Sequence, residues 1–244
     1  MGKKISDKKK TEASTEFTVD YSDIVEFGKS VVPSKLDTSQ LVIQEQKRRN
    51  SKVQNARLLF RAIDILFYSP QNSCPYINKS NIGTVSVIPD ILYSDVEPTV
   101  CRLDFYRVES EKKQPAILLI HGGGFTAGDK KYRKGRAQFF AINGFSVFCV
   151  NYGLAPKYHF PDPLEHIVLA ANYIHDHADE YNIDPDRILV DGDSAGGYYA
   201  AMVAAFNCNP RLGEVFGFAP KFRIFGALLN CGVYDMQTVL NTKY

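Results

Sequence analysis

The stretch Arg187-Ile188-Leu189-Val190-Asp191-Gly192-Asp193-Ser194-Ala195-Gly196-Gly197-Tyr198-Tyr199-Ala200 joins an apolar run to a run of small residues through a turn with glycine on both sides of a serine. An apolar run of this length bounded by turn residues reads as a buried strand, and the small-residue segment from 195 to about 206 reads as a helix packed closely on its neighbours. Ser194 then occupies a tight strand-to-helix turn. Gly192 and Gly196 leave room for neighbouring backbone there, and Asp193 and Ala195 flank the hydroxyl. The helix that opens behind Ser194 directs free N–H groups toward any negative charge that develops there, with Ala195 the nearest donor.

A second motif precedes it. His121-Gly122-Gly123-Gly124 directly follows the apolar run 116–120, and three consecutive glycines carry an entropic cost that a plain loop does not explain. They let backbone N–H groups face a ligand without intervening side chains, so Gly123 and Gly124 join Ala195 as candidate oxyanion donors. Gly122 and His121 shape the loop, His121 by hydrogen bonding within it. The glycines fit neither the G-x-G-x-x-G spacing of a dinucleotide site nor a phosphate loop ending in Lys-Ser/Thr, and no cofactor is expected.

Working outward, apolar strand-like runs and helical patterns alternate. Strands are expected at 84–93, 100–108, 116–120, 145–150, 187–190 and 225–230, and helices at 134–143, 164–181 and 195–206. In the second strand Cys101, Leu103 and Phe105 alternate with Arg102, Asp104 and Tyr106, as in a half-exposed antiparallel pair at a sheet edge. The remainder calls for a mainly parallel sheet with helices on both faces, an α/β class. Upstream, 1–36 reads as an irregular leader, 37–81 as a helical region and linker, and 82–244 as the α/β domain. The helix within 37–69 is highly charged at its start and carries Leu58, Leu59, Ala62, Ile65 and Leu66 at helical spacing near its end. That apolar end must pack on something, as a lid over a pocket or as lateral support for the sheet.

Composition narrows the function classes. The balance of 29 basic against 27 acidic side chains leaves a formal charge of +2, too small to gather nucleic acid. Cys74, Cys101, Cys149, Cys208 and Cys231 are widely spaced, outside any metal-ligand pattern, and read as free thiols in a reducing compartment. Cys101, Cys149 and Cys231 fall in apolar runs, where a thiol acts as a small hydrophobe. The basic N-terminus lacks the apolar run of a signal peptide, and no segment has the length of a membrane span. A cytoplasmic location is the expectation, and Asn78-Lys79-Ser80 is a chance match to a glycosylation acceptor.

With both glycine motifs and the block Asn151-Tyr152-Gly153-Leu154-Ala155-Pro156 followed by Phe160-Pro161, the chain resembles the hormone-sensitive-lipase-like branch of the α/β-hydrolase superfamily, the α/β-hydrolase-3 domain, over residues 85–240. The resemblance implies Ser194-dependent hydrolysis of small carboxylic or acetyl esters under an N-terminal cap. That family writes the middle block as Asp-Tyr-Arg-Leu-Ala-Pro-Glu. Asn151, Gly153 and Lys157 stand at its charged positions here, so an arginine fork and two carboxylates are lost, and with them the usual support of the loop beneath the pocket.

The family order of catalytic groups is Ser, acid, His. All five histidines, His121, His159, His166, His175 and His177, precede Ser194, and Glu214 and Asp235 are the acidic residues after it. Asp235 reads as a loop carboxylate. The resemblance implies further strands after it, so the chain is expected to be a C-terminally shortened esterase with weak or absent turnover. The competing reading is a non-catalytic ligand- or protein-binding domain of the same fold. Acyl length, alcohol and oligomeric state are left open by the sequence.

Overall fold

In a computed structural model, residues 46–68 and 82–237 are described, all within one contact unit, Ile43–Tyr244. The expected leader at 1–36, the parts of the helical region at 37–45 and 69–81 with Cys74 and the Asn78 acceptor, and the final residues 238–244 lie outside the described residues. The elements are α1 (Gln46–Ile63), which runs into a π-helical turn at Asp64–Tyr68, then β1 (Val85–Leu92), β2 (Arg102–Val108), β3 (Gln114–Ile120), α2 (Lys134–Ile142), β4 (Ser146–Val150), α3 (Asp162–Asp176), β5 (Ile183–Asp193), α4 (Ala195–Ala205), α5 (Arg211–Phe216) and β6 (Gly226–Asn230).

Among the described residues six strands form one sheet in the order β1-β2-β4-β3-β5-β6. β1, β2 and β4 pair antiparallel, while β4, β3, β5 and β6 run parallel. Strand alternation sorts the side chains into two layers. Ala116, Leu118 and Ile120 of β3 join Phe148 and Val150 of β4 in the larger core, under Leu164, Ile167 and Ile174 of α3 and Tyr199 and Val203 of α4. Ile117 and Leu119 point the other way, with Val147 and Cys149, against Ala137 and Ala141 of α2. The chain leaves β3 toward β4 on one side and returns to β5 on the other. In an open α/β sheet that reversal opens a crevice at the carboxyl ends of the strands, and both glycine motifs lie there.

Three expectations are corrected. β2 is not half-exposed: Leu103 and Phe105 enter the larger core, while Asp104 and Tyr106 on the other face are buried too. β1 takes the sheet edge and β4 covers the far side, so β2 is an interior strand. β1, by contrast, is largely exposed, with Pro89 at a register shift where Asp90 turns to positive φ and donates its N–H to Asp104 Oδ1 at 2.9 Å. Pro is tolerated at such an edge bulge. Second, the stripe Leu58, Leu59, Ala62, Ile65 and Leu66 is exposed. α1 instead turns Val53, Ala56, Phe60 and Ile63 inward, with buried Asp64 following them. Third, Cys231 is exposed rather than packed in a strand. It follows β6 with φ 48°.

Boundaries moved where hydrogen bonding overrode pattern. α3 ends at Asp176, five residues earlier than expected, because His177 and Ala178 cap it through bonds to the carbonyls of Tyr173 and His175. α2 ends as expected, with Gly144 beyond it at φ 89°, a conformation open to glycine at little cost. β5 begins earlier than the apolar run, at Ile183, since Gln114 pairs with Ile183 across a register shift.

Leu118 is fully buried at the sheet centre, while Leu228 on β6 is 38% exposed. Leu118→Ala is therefore expected to cost about 3 kcal/mol in urea unfolding, and Leu228→Ala under about 1 kcal/mol. Equal losses would contradict this layering.

Candidate active site

The in-register pairing of β3 and β5 sets the site. Leu119 lies opposite Asp191 and Ile120 opposite Gly192, so the two strands end level and their following loops emerge side by side. A Cβ added to Gly122 would lie 2.6 Å from both the carbonyl oxygen and Oδ2 of Asp193 and 3.1 Å from Ser194 Cβ. The glycine loop thus touches the serine turn directly, across a gap that admits no side chain.

Ser194 has φ 53° and ψ −118°. A non-glycine residue held in this region stores on the order of 1–3 kcal/mol, and the surroundings must hold it there. Its N–H donates to the Asn230 carbonyl of β6 at 2.9 Å, and its own carbonyl accepts from Tyr198 N at 3.1 Å. Gly192 and Gly196 permit the approach: a Cβ on Gly192 would meet the Gly196 oxygen at 2.2 Å, and one on Gly196 would meet the Ile120 oxygen at 2.2 Å and the His121 oxygen at 2.7 Å. Ser194 therefore turns out of the sheet at the start of α4.

In the other loop Gly123 has φ 136° and Gly124 φ 59°, and the Gly123 carbonyl accepts from Thr126 N at 3.2 Å and Ala127 N at 3.0 Å. Among the described residues, the N–H groups of Gly123, Gly124 and Ala195 donate to no backbone carbonyl, leaving them for a ligand or solvent. A Cβ on Gly124 would fall 2.1 Å from the Phe60 ring of α1. Phe60 thus packs on the glycine loop, a contact that helical periodicity alone did not single out.

His121 is buried. Its Nδ1 lies 2.9 Å from the Gly122 oxygen, so Nδ1 carries the proton and donates. The ring stacks on Tyr152 at 4.4 Å between centroids, and Tyr152 donates its hydroxyl to the His121 carbonyl at 2.5 Å. Burial lowers the His121 pKa to about 4, against a smaller upward pull from the Gly122 carbonyl, so the ring is neutral at pH 7. Its ring bond runs within the loop that it opens, and its carbonyl is held from outside by Tyr152.

Three of the other four histidines have ring partners elsewhere, and the fourth is exposed. His166 Nδ1 accepts the Gly153 N–H at 3.1 Å, and burial lowers its pKa. His177 stacks on Tyr173 with Nδ1 2.8 Å from the Tyr173 carbonyl. His175 stacks on Phe222 at 4.6 Å, and His159 is exposed beside Asp162. None of the five hydrogen-bonds the Ser194 hydroxyl. Asp235 and Glu214 are both exposed.

The loop beneath the site has other supports than the missing arginine fork. Asn151 Oδ1 accepts from Lys130 N at 2.7 Å, and the Asn151 carbonyl accepts from the Tyr93 hydroxyl at 2.7 Å. A Cβ on Gly153 would meet the Tyr158 ring at 2.5 Å; the tyrosine occupies that space. Its hydroxyl donates to Glu97 at 2.8 Å and accepts from Lys157 at 2.6 Å. The expected loss of support is corrected: the Asn151 amide, the His166 imidazole and a Tyr158 phenol held between Glu97 and Lys157 support the loop without an arginine fork. Ala155 N further ties this block to the Phe125 carbonyl at 3.0 Å.

Sequence reading missed the charges behind the serine. Asp191 and Asp193, two apart on β5, lie on one face of the strand. They meet Arg136 and Arg133, three apart across the start of α2. Arg133 donates Nε and Nη2 to the two carboxylate oxygens of Asp193, both at 2.7 Å, a bidentate pair that fixes the carboxylate plane. Arg136 Nη2 reaches Asp191 Oδ1 at 2.7 Å, which Asn230 also donates to at 2.8 Å. On its far side Arg133 lies 4.0 Å from buried Asp64. One guanidinium thus links the turn after α1 to the residue preceding Ser194. The i, i+2 acids against i, i+3 arginines were the available signal.

Burial is the main reason that the Asp64 pKa rises to about 6, with Arg133 opposing and Asp193 and Asp129 adding to the rise. The folded state therefore holds this proton more tightly than the unfolded chain does. The resulting stability is fully present below about pH 4 and is lost as pH rises through 6. Asp64→Asn, neutral throughout, is expected to gain on the wild type by on the order of 2 kcal/mol between pH 4 and pH 7 in urea unfolding. A pH-independent gap would contradict the assignment. Arg133→Met leaves the buried Asp64 and the half-buried Asp193 carboxylates uncompensated and is expected to cost about 3 kcal/mol. Combining it with Asp193→Asn should recover part of that loss in a double-mutant cycle.

Comparison with known proteins places this geometry. The chain is 36% identical over 95 residues to esterase LipI of Mycobacterium tuberculosis, covering 38% of this chain and 30% of that protein. It is 32% identical over 127 residues to arylacetamide deacetylase of Bos taurus, covering 48% and 30%. These matches thus span less than a third of either relative. The solved structure of esterase B from Lactobacillus rhamnosis superposes with a TM-score of 0.69 over 82% of this chain and 62% of that one; at 22% identity this likeness concerns the fold alone. The BD-FAE family model matches residues 103–243, more than half of the chain and both glycine motifs, and the chain accordingly belongs to the BD-FAE family, within the carboxylesterase- and lipase-like proteins of the α/β-hydrolase fold.

Proposed function

We propose that this protein is a serine carboxylesterase of the hormone-sensitive-lipase-like branch, acting on small carboxylic or acetyl esters through an acyl-enzyme on Ser194. The observation that carries the reading is the strained Ser194 turn in direct contact with a glycine loop whose Gly123 and Gly124 N–H groups donate to no backbone carbonyl among the described residues. Ser194 Oγ attacks the ester carbonyl, and the oxyanion accepts hydrogen bonds from the N–H groups of Gly123, Gly124 and Ala195. The C–O bond then breaks, the alcohol departs with a proton, and water later releases the acid. Gly122, Gly192 and Gly196 make the contact possible, and Asp193 and His121 hold the two loops. The branch assignment is supported by His121–Gly124, by Asn151–Pro156 with Phe160-Pro161, and by Gly192–Gly197. The acetyl preference is supported by the bovine relative being a deacetylase.

This mechanism assigns the proton acceptor to none of the five histidines, since none of them hydrogen-bonds the Ser194 hydroxyl and the rings of His121, His166, His175 and His177 have other partners. That observation also favours a second reading, a domain of the same fold that binds an ester or a protein without turning over. The two differ in their response to an activated ester, whose leaving group departs without a proton. With 4-nitrophenyl acetate the 244-residue chain is expected to release a stoichiometric burst of nitrophenolate and gain one acetyl group by intact mass. Turnover should then be slow, near the roughly 10³–10⁴-fold over water that survives triad loss in serine hydrolases. Ser194→Ala should show neither burst nor adduct. Binding of the ester with no acetyl-Ser194 at any time would establish the non-catalytic reading instead.

A further inference from the structure

α1 presents two apolar faces. Val53, Ala56, Phe60 and Ile63 are turned toward the domain, with Phe60 against Gly124. On the opposite side, Leu58 is 67% exposed, Leu59 59%, and, in the turn that follows, Ile65 51% and Leu66 68%. Large aliphatic side chains grouped on one outward face are unlike the scattered exposed leucines of an ordinary surface. Every charged residue in α1 is also basic: Lys47, Arg48, Arg49, Lys52, Arg57 and Arg61. Arg57 and Arg61 are themselves exposed, one turn apart and adjacent in sequence to Leu58 and Ala62. Asp64, which follows, is turned inward to Arg133. The outward surface thus joins aliphatic side chains to positive charge undiluted by carboxylates, on a chain whose overall charge is only +2.

We propose that this face of α1 seats on an anionic phospholipid bilayer. The chemistry selects that partner. A polyanion such as nucleic acid would engage the arginines and leave the leucines in water, whereas a lipid interface takes the aliphatic side chains below the headgroups while the guanidinium groups stay among the phosphates. Among the described residues no helix is long and apolar enough to cross a membrane, so the helix lies in the interface plane. The opposite face of the same helix rests on the glycine loop through Phe60, which puts the candidate active site one helix thickness from the membrane. The inference does not rest on the esterase reading, since binding is measured without substrate.

The test is flotation of the full chain with vesicles of phosphatidylcholine alone and with vesicles in which phosphatidylglycerol replaces part of it. The protein is expected to float with the anionic vesicles and not with the neutral ones, and to release as salt is raised. The double variants Leu58→Gln/Leu59→Gln and Arg57→Gln/Arg61→Gln should each lower the bound fraction by about tenfold. Because these side chains are exposed, circular dichroism and the urea midpoint should be unchanged, which separates lost binding from lost folding. Failure of the wild type to float with anionic vesicles would overturn the proposal. So would undiminished flotation of both variants, which would assign binding to another basic segment such as Lys8–Lys10. A wild-type dimer that the leucine variant converts to monomer, without vesicle binding, would assign the face to a second copy.

Discussion

Helix α4 starts where it does because Gly196 lets its backbone rest against the carbonyl oxygens of Ile120 and His121. Any side chain there would push α4 off the end of β3, and Ser194 would lose the turn that lifts it from the sheet. Much follows from this contact. The level ends of β3 and β5 bring Gly122 against Ser194, and the strain at Ser194 is sustained because Asn230 on β6 holds its N–H. Close packing stores the strain in a place where neighbouring backbone cannot yield.

Behind the turn lies a charged layer in which burial and pairing compete. Arg133 satisfies both oxygens of Asp193 and also faces Asp64. For Asp64, desolvation outweighs the guanidinium, which is why its pKa rises despite a cationic neighbour. The same balance holds at Asp191, where burial raises the pKa to about 6 in spite of Arg136 and Asn230. Such a layer contributes little net stability. Its effect is positional: it joins the turn after α1, the start of α2 and the end of β5, so that helix, glycine loop and serine turn have one arrangement.

Much of the fold was legible in advance because a strand buried on both faces and a helix with one apolar stripe leave distinct traces. The runs 116–120 and 145–150 read as buried strands for that reason, and they form most of Gln114–Ile120 and Ser146–Val150. β2 misled because alternation of polar and apolar residues is the mark of a half-exposed strand, whereas Asp104 is buried by an ion pair with Lys130 at 2.5 Å and Tyr106 by α2. α1 misled for the opposite reason. Its strongest apolar stripe faces outward, and a weaker set around Phe60 makes the contact with the domain.

The sequence by itself determined the local chemistry of the site. Glycine at 122, 192 and 196, and a serine between a strand and a small-residue helix, can be read from residue types because they answer to local sterics. Tertiary structure alone decided which charges meet. Arg133 and Asp193 are 60 positions apart and Arg136 and Asp191 are 55 apart, and only the crossover from β3 through α2 and α3 to β5 brings them together. It also decided that Tyr158 fills the space beside Gly153 while His166 accepts its N–H, and that none of the five histidines hydrogen-bonds the Ser194 hydroxyl. Partner choice among distant polar groups depends on strand order and register, which one-dimensional periodicity does not encode.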